Sequence, residues 1–88
     1  MLVEKLIEVS VVNIILLGKV GLVYDAGYRG WFYIDENSGM QTGWVLINER
    51  WYFFNPVSDG TRGMMFIGRK TPDEYFVTED GSWDGKTK

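Results

Sequence analysis

The sequence predicts a mainly β fold, a short solenoid of stacked β-hairpins with about two and a half repeats behind an aliphatic N-terminal cap segment. Three observations carry that expectation. Four Trp, five Tyr and five Phe make fourteen aromatic residues, and all of them lie between Tyr24 and Trp83. Within that stretch an aromatic run recurs at an offset of 20 residues, and such a period marks a repeat architecture. Glycines at 30, 39, 43, 60, 63, 68 and 81, with clusters of Asn, Ser and Asp, separate the runs as turns between short strands require.

The aromatic boundary divides the chain into residues 1–23, an aliphatic capping segment, and residues 24–88, the hairpin repeats. In the first part Val9, Val11, Val12, Ile14 and Ile15 are β-branched and favour a strand to about Leu17. Leu2, Val3, Leu6 and Ile7 sit at helical spacing, which predicts a short helix or turn over 2–8. The longest uncharged run, Val9 to Gly18, is ten residues, half of what a membrane-spanning helix needs. A secretory signal is not convincing either, because Glu4, Lys5 and Glu8 occupy the start and no small-x-small cleavage site follows.

In the second part the first full unit ends in Trp31, Phe32, Tyr33, Ile34 and Asp35. The second ends in Trp51, Tyr52, Phe53, Phe54 and Asn55. Each run closes in an acid or amide and is followed by a polar, glycine-containing turn and then a methionine, Met40 or Met65. Trp44 precedes Trp51 by seven residues, as Tyr24 precedes Trp31. The second unit therefore reads as a strand over 44–47, a turn over 48–50 and a strand over 51–55. A weaker third copy starts at Tyr75 and runs to Gly81. One hairpin of this kind cannot bury its own aromatic face, whereas stacked neighbours can.

The pattern of Gly43 and Trp44, then Trp51 to Asn55, a Ser58, Asp59, Gly60 turn and Gly63 to Met65 resembles the choline-binding or cell-wall-binding repeats of Gram-positive bacteria and their phages. Gly30 to Asp35, Gly39 to Trp44 and the closing Tyr75 to Trp83 extend the resemblance over roughly residues 24–85. The resemblance implies aromatic cages between consecutive hairpins that hold choline groups of teichoic acid, or related wall glycans. A quaternary ammonium cannot be hydrogen-bonded, so ring faces are its favourable surroundings. Carried over by residue, the best-supplied junction lies between the first and second units and draws on Trp31, Trp44 and Trp51, with Tyr52 adjacent. The next junction departs from the pattern, since Arg69 stands in the expected tryptophan slot and Tyr75 replaces Trp. A cation in a cage wall would repel choline, so that site reads as lost. Tyr24 fills the tryptophan slot of the first unit.

Composition excludes much else. With neither Cys nor His, thiolate and imidazole nucleophiles and the usual zinc ligand sets are absent, and no cofactor is implied. Twelve acids against nine bases, scattered along the chain, leave no basic stripe for nucleic acid. Asp80, Ser82 and Asp84 with Gly85 match the start of a calcium loop, but the bidentate acid at its twelfth position would fall beyond Lys88. The adjacent acids Asp35 and Glu36, and Asp73 and Glu74, read as turn chemistry rather than a glycosidase pair. Met40 and Met65 read as packing residues. Taken with these exclusions, the resemblance implies a non-catalytic, extracellular, cell-wall-associated binding module with no membrane span. The alternative is a structural or protein-interaction module, a homodimer through the aliphatic segment, in which the aromatic ladder is only packing.

Overall fold

The computed structural model describes residues 20–86, and all regular elements in that stretch are strands. The helix and strand expected within residues 2–17, and the capping role assigned to that segment, lie outside the described residues. β1 (Gly21–Asp25) and β2 (Gly30–Asp35) form an antiparallel hairpin with Tyr24 opposite Trp31 and Gly21 opposite Ile34. The first hairpin therefore takes in Gly21 to Val23, on the N-terminal side of the boundary drawn at Tyr24. Its turn is held by Asp25, whose Oδ1 accepts the backbone N–H of Gly27 at 2.8 Å and of Tyr28 at 3.1 Å. β3 (Gly39–Met40) returns along β2, with Met40 opposite Ile34.

The second hairpin, β4 (Gly43–Ile47) and β5 (Arg50–Phe54), sets Trp44 opposite Phe53 and Leu46 opposite Trp51. Asn48 and Glu49 join the strands with positive φ at both positions, 50° and 68°, the turn whose twist matches a right-handed hairpin. β6 (Arg69–Lys70) and β7 (Phe76–Val77) make a shorter third hairpin. Bridges of Phe54 to Met65 and Val77 to Trp83 supply the second and third units with the returning segment that β3 supplies in the first.

The same main-chain bond recurs in every unit. Gln41 donates to the Tyr33 carbonyl at 2.9 Å, Phe66 to Phe53 at 2.8 Å and Asp84 to Phe76 at 3.1 Å. Ile34, Phe54 and Val77 are therefore equivalent, and each is all but inaccessible to solvent. They form the spine of the core, to which Phe32, Phe53 and Met65 add. Units stack through a second recurring bond, from the returning segment to the tryptophan strand one unit earlier: Met65 N–H to the Trp31 carbonyl at 2.8 Å, and Trp83 N–H to Trp51 at 2.7 Å. The solenoid of stacked hairpins expected from the repeat is the observed architecture.

The methionines pack at these junctions. Met40 lies against the core pair Phe32 and Ile34. A Cβ on Gly63 would approach the Met40 sulfur to 2.4 Å, and one on Gly81 the Met65 sulfur to 2.3 Å. Both glycines have positive φ, 93° and 88°, which an alanine adopts only under strain. Gly63→Ala and Gly81→Ala should each cost about 1–3 kcal/mol through that strain and the displaced thioether, read as a lower denaturation midpoint at unchanged m-value.

The polar turns carry a pH signature. Asp35 is lowered from its ordinary 3.8 by the backbone N–H groups of Ser38 and Asn37. Asp59 is lowered chiefly by the Thr61 hydroxyl and N–H. Asp80 is drawn down to about 2, first by the Ser82 hydroxyl, then by the Thr78 hydroxyl and the Ser82 N–H, with a smaller contribution from Arg50. Carboxyls depressed in the folded state contribute stability above their unfolded pKa and lose it as pH falls through the folded one. Stability in denaturant titrations should therefore hold down to about pH 4 and decline between about pH 4 and 2, and Asp80→Asn should shallow that decline.

Candidate functional site

Neighbouring residues of a strand point to opposite faces, and residues diagonal across an antiparallel pair share one face within reach of large rings. In the second hairpin this rule puts Trp44 of β4 and Trp51 of β5 on the same side. The third unit brings Tyr75 and Trp83 against them. Tyr75 is set just before β7 by two bonds to Thr71, whose N–H donates to the Tyr75 carbonyl at 2.8 Å and whose Oγ1 accepts the Tyr75 N–H at 3.1 Å. Trp83 is set by its bond to the Trp51 carbonyl.

Trp44, Trp51, Tyr75 and Trp83, with Asp73, enclose an open hollow of about 340 Å³. Its rings stand nearly perpendicular: Trp44 and Tyr75 are 5.5 Å apart at 83°, and Tyr75 and Trp83 are 5.9 Å apart at 81°. Behind them Phe53 packs edge-on against Trp44 at 5.1 Å, and Phe66 against Phe53 at 5.0 Å. The Trp44 indole Nε1–H donates to Asp73 Oδ2 at 3.0 Å. Edge-to-face contacts of this kind hold ring orientation beyond what buried area alone does.

The first junction repeats the arrangement with different side chains. Leu22, Trp31, Tyr52 and Met65 line a smaller hollow of about 230 Å³ with Ile67, Glu79 and Asp80. The backbone makes the equivalence explicit. Leu22 lies opposite Tyr33 as Trp44 lies opposite Phe53, and Trp31 opposite Tyr24 as Trp51 opposite Leu46. Met65 and Trp83 occupy the same place in the stacking bonds. At this junction an aliphatic and a thioether side chain stand where the other has two indoles.

The four residues that the sequence assigned to one cage are therefore divided. Trp44 and Trp51 share the second-junction hollow, while Trp31 and Tyr52 line the first. The reason is directional, since each hairpin presents its tryptophans to the unit that follows it. Two slot assignments change with this. The turn over 26–29 is two residues longer than the Asn48, Glu49 turn, so counting seven back from Trp31 reaches Tyr24, whereas the equivalent of Trp44 is Leu22. In the third unit Lys70, opposite Phe76, holds the position of Trp44.

Arg69, expected in the wall of the second junction, does not line its hollow. It stacks its guanidinium over the Phe66 ring at 4.1 Å and, with Lys70, lines a separate groove. Trp83 and Asp73 are the lining residues that the spacing argument missed. The signal for Trp83 was present: it follows Gly81 by two residues as Met65 follows Gly63.

The remaining acidic candidates are occupied in turns. Asp80 Oδ1 accepts from Thr78 Oγ1 at 2.7 Å, Ser82 Oγ at 2.6 Å and Ser82 N–H at 2.8 Å, and its Oδ2 faces Arg50 at 3.4 Å. Asp35 Oδ2 accepts the N–H groups of Asn37 and Ser38 at 3.0 and 2.9 Å. Among the described residues no group of three or more acids gathers to hold a metal ion, and no helix is long and apolar enough to cross a membrane.

Comparison with known proteins agrees with this geometry. Residues 42–56 match the choline-binding family of cell wall binding repeats. No curated protein matches the sequence. Among solved structures, choline binding protein F of Streptococcus pneumoniae, determined in the presence of a peptidoglycan analogue, is 29% identical over 74% of this chain with a TM-score of 0.57. The modular autolysin LytC of the same organism is 27% identical over 70% of this chain with a TM-score of 0.59. This chain covers only 19% and 13% of those two proteins. The choline binding domain of Spr1274, also from Streptococcus pneumoniae, is closer in size: 74% of each chain is covered, at 25% identity and a TM-score of 0.58. Residues 42–56 thus match a cell wall binding repeat, and the stacked hairpins are similar in fold to those of pneumococcal choline-binding proteins.

Proposed function

We propose that the array is a non-catalytic module that attaches to the bacterial cell wall by holding choline groups, such as those of teichoic acid, in the hollow of Trp44, Trp51, Tyr75 and Trp83. The observation that supports this most is the mutual orientation of the rings. A sugar ring stacks on a flat aromatic platform, whereas planes at 83° and 81° enclose a compact, rounded head group. A trimethylammonium has that shape, carries a charge that ring faces attract and has no N–H to satisfy. In this reading the module works outside the cell, associated with the wall. A single hollow binds weakly, and useful attachment comes from several modules engaging one polymer.

A second reading keeps one observation of its own. Leu22, Tyr24, Trp31 and Ile67 are exposed large apolar side chains around the first junction, which suits protein contact, including a homodimer, better than a cation. Sedimentation at high concentration separates the two, because a monomer at all concentrations would remove the homodimer.

Titration of isotope-labelled protein with choline tests the first reading. The indole N–H resonances of Trp44, Trp51 and Trp83 should shift and saturate with a dissociation constant of about millimolar, while that of Trp31 stays nearly still. Trp83→Met, which gives the second junction the residue of the first, should weaken binding about tenfold, and Trp31→Ala should leave it within about twofold. Silence of the three indoles at high choline would sink the proposal, and so would loss of binding in Trp31→Ala.

A further inference from the structure

We propose that Asp73 makes the aromatic hollow select a cation over a neutral group of the same shape. The inference rests on the reading above and refines it from an aromatic receptor to a charge-selective one. Asp73 lies in the turn between β6 and β7 and is the one carboxylate among the residues that line the hollow. Both of its oxygens have fixed partners. Oδ2 accepts the Trp44 indole N–H at 3.0 Å, and Oδ1 accepts the hydroxyl of Thr71. Thr71 is itself buried and is tied to Tyr75 through both its N–H and its hydroxyl. One short network thus sets the carboxylate and two of the four rings.

A structural role alone accounts poorly for this arrangement. The Trp44 to Asp73 bond is exposed, so water would satisfy the indole N–H equally well and the net gain in stability is small. The chemical consequence for an occupant is larger. Ring faces attract a cation through their quadrupole, and a full negative charge at the wall adds a Coulomb attraction that a neutral group does not feel. Donation to a carboxylate also polarises the Trp44 indole and makes its face more electron-rich. The first junction also has carboxylates, Glu79 and Asp80, but Leu22 offers neither an N–H to fix one nor a ring face for it to polarise, and Asp80 is engaged by Arg50, Thr78 and Ser82.

The test compares choline with its neutral carbon isostere, 3,3-dimethylbutan-1-ol, on the unsubstituted protein, Asp73→Asn and Asp73→Glu, with binding read from the indole resonances. The unsubstituted protein should prefer choline by about tenfold or more. Asp73→Asn keeps an acceptor for Trp44 and should lose about fivefold in choline affinity with the isostere changed less than about twofold. Asp73→Glu should retain the preference for choline. Raising salt from about 0.05 to 0.5 M should weaken choline binding by the unsubstituted protein but not by Asp73→Asn. Equal losses for both ligands in Asp73→Asn, or no loss for either, would overturn the inference, as would choline binding by the unsubstituted protein that is indifferent to salt. Absence of choline binding by the unsubstituted protein would instead remove the proposed function on which the inference stands.

Discussion

The bond from each returning segment to the tryptophan strand of the unit before it is the constraint on which the rest of the molecule depends. Met65 makes it to the Trp31 carbonyl and Trp83 to that of Trp51. A two-stranded hairpin is at best marginal in water, and the third one here has strands of only two residues. The stacking bond fixes how far each unit advances along the array and which side chains of neighbouring units meet. It places Ile34, Phe54 and Val77 in one buried line, and it brings the outward rings of one unit against those of the next. Glycine at 63 and 81 follows from the same closeness, since the Met40 and Met65 side chains of the unit before occupy the space a Cβ would take.

Because the same stacking bond forms at both junctions, the difference in what lines them lies in side chains. Tryptophan at 44 and 83 gives the second junction two more large ring faces than Leu22 and Met65 give the first. Leucine and methionine still exclude water and pack, so stacking survives the exchange, but neither presents a π face to a cation. Stability and recognition are thereby separable at these two positions of the repeat. The core spine is nearly uniform from unit to unit, whereas the hollow is complete at one junction.

Much of the fold was legible because hairpin chemistry is local. The aromatic runs at 31–35 and 51–55, the polar turns between them and the glycines at 43, 63 and 81 announced units of strand, turn and strand, and those units are observed. What the sequence did not disclose was the direction in which each unit faces. Trp44 was assigned backwards, to Trp31, because two tryptophans 13 residues apart look like neighbours in a chain read by spacing alone. Hairpin register also depends on turn length, so the longer turn after Asp25 misaligned Tyr24 with Trp44. Arg69 looked disruptive for a related reason: by register it stands where Gly43 stands in the second unit, Lys70 holds the tryptophan slot, and the guanidinium lies on Phe66. Asp73 read as an ordinary turn acid, since its bond to Trp44 spans 29 residues and has no local signature.

The hollow is also a joint between units, and that ties attachment to folding. Trp44 and Trp51 come from the second unit, Tyr75 and Trp83 from the third, so an occupant that touches all four is held only while those units are stacked. A ligand bound solely by the stacked state stabilises it by RT ln(1 + [L]/Kd), about 2.7 kcal/mol when its concentration is a hundredfold above Kd. For a weak ligand free in solution that excess is hard to reach, but on a polymer that displays the group many times the effective concentration near an engaged module is high. Under the proposed function the third unit, with the shortest strands, therefore gains most from attachment. An array built this way needs no large core, because its least secure interface is the one that the wall polymer itself would close.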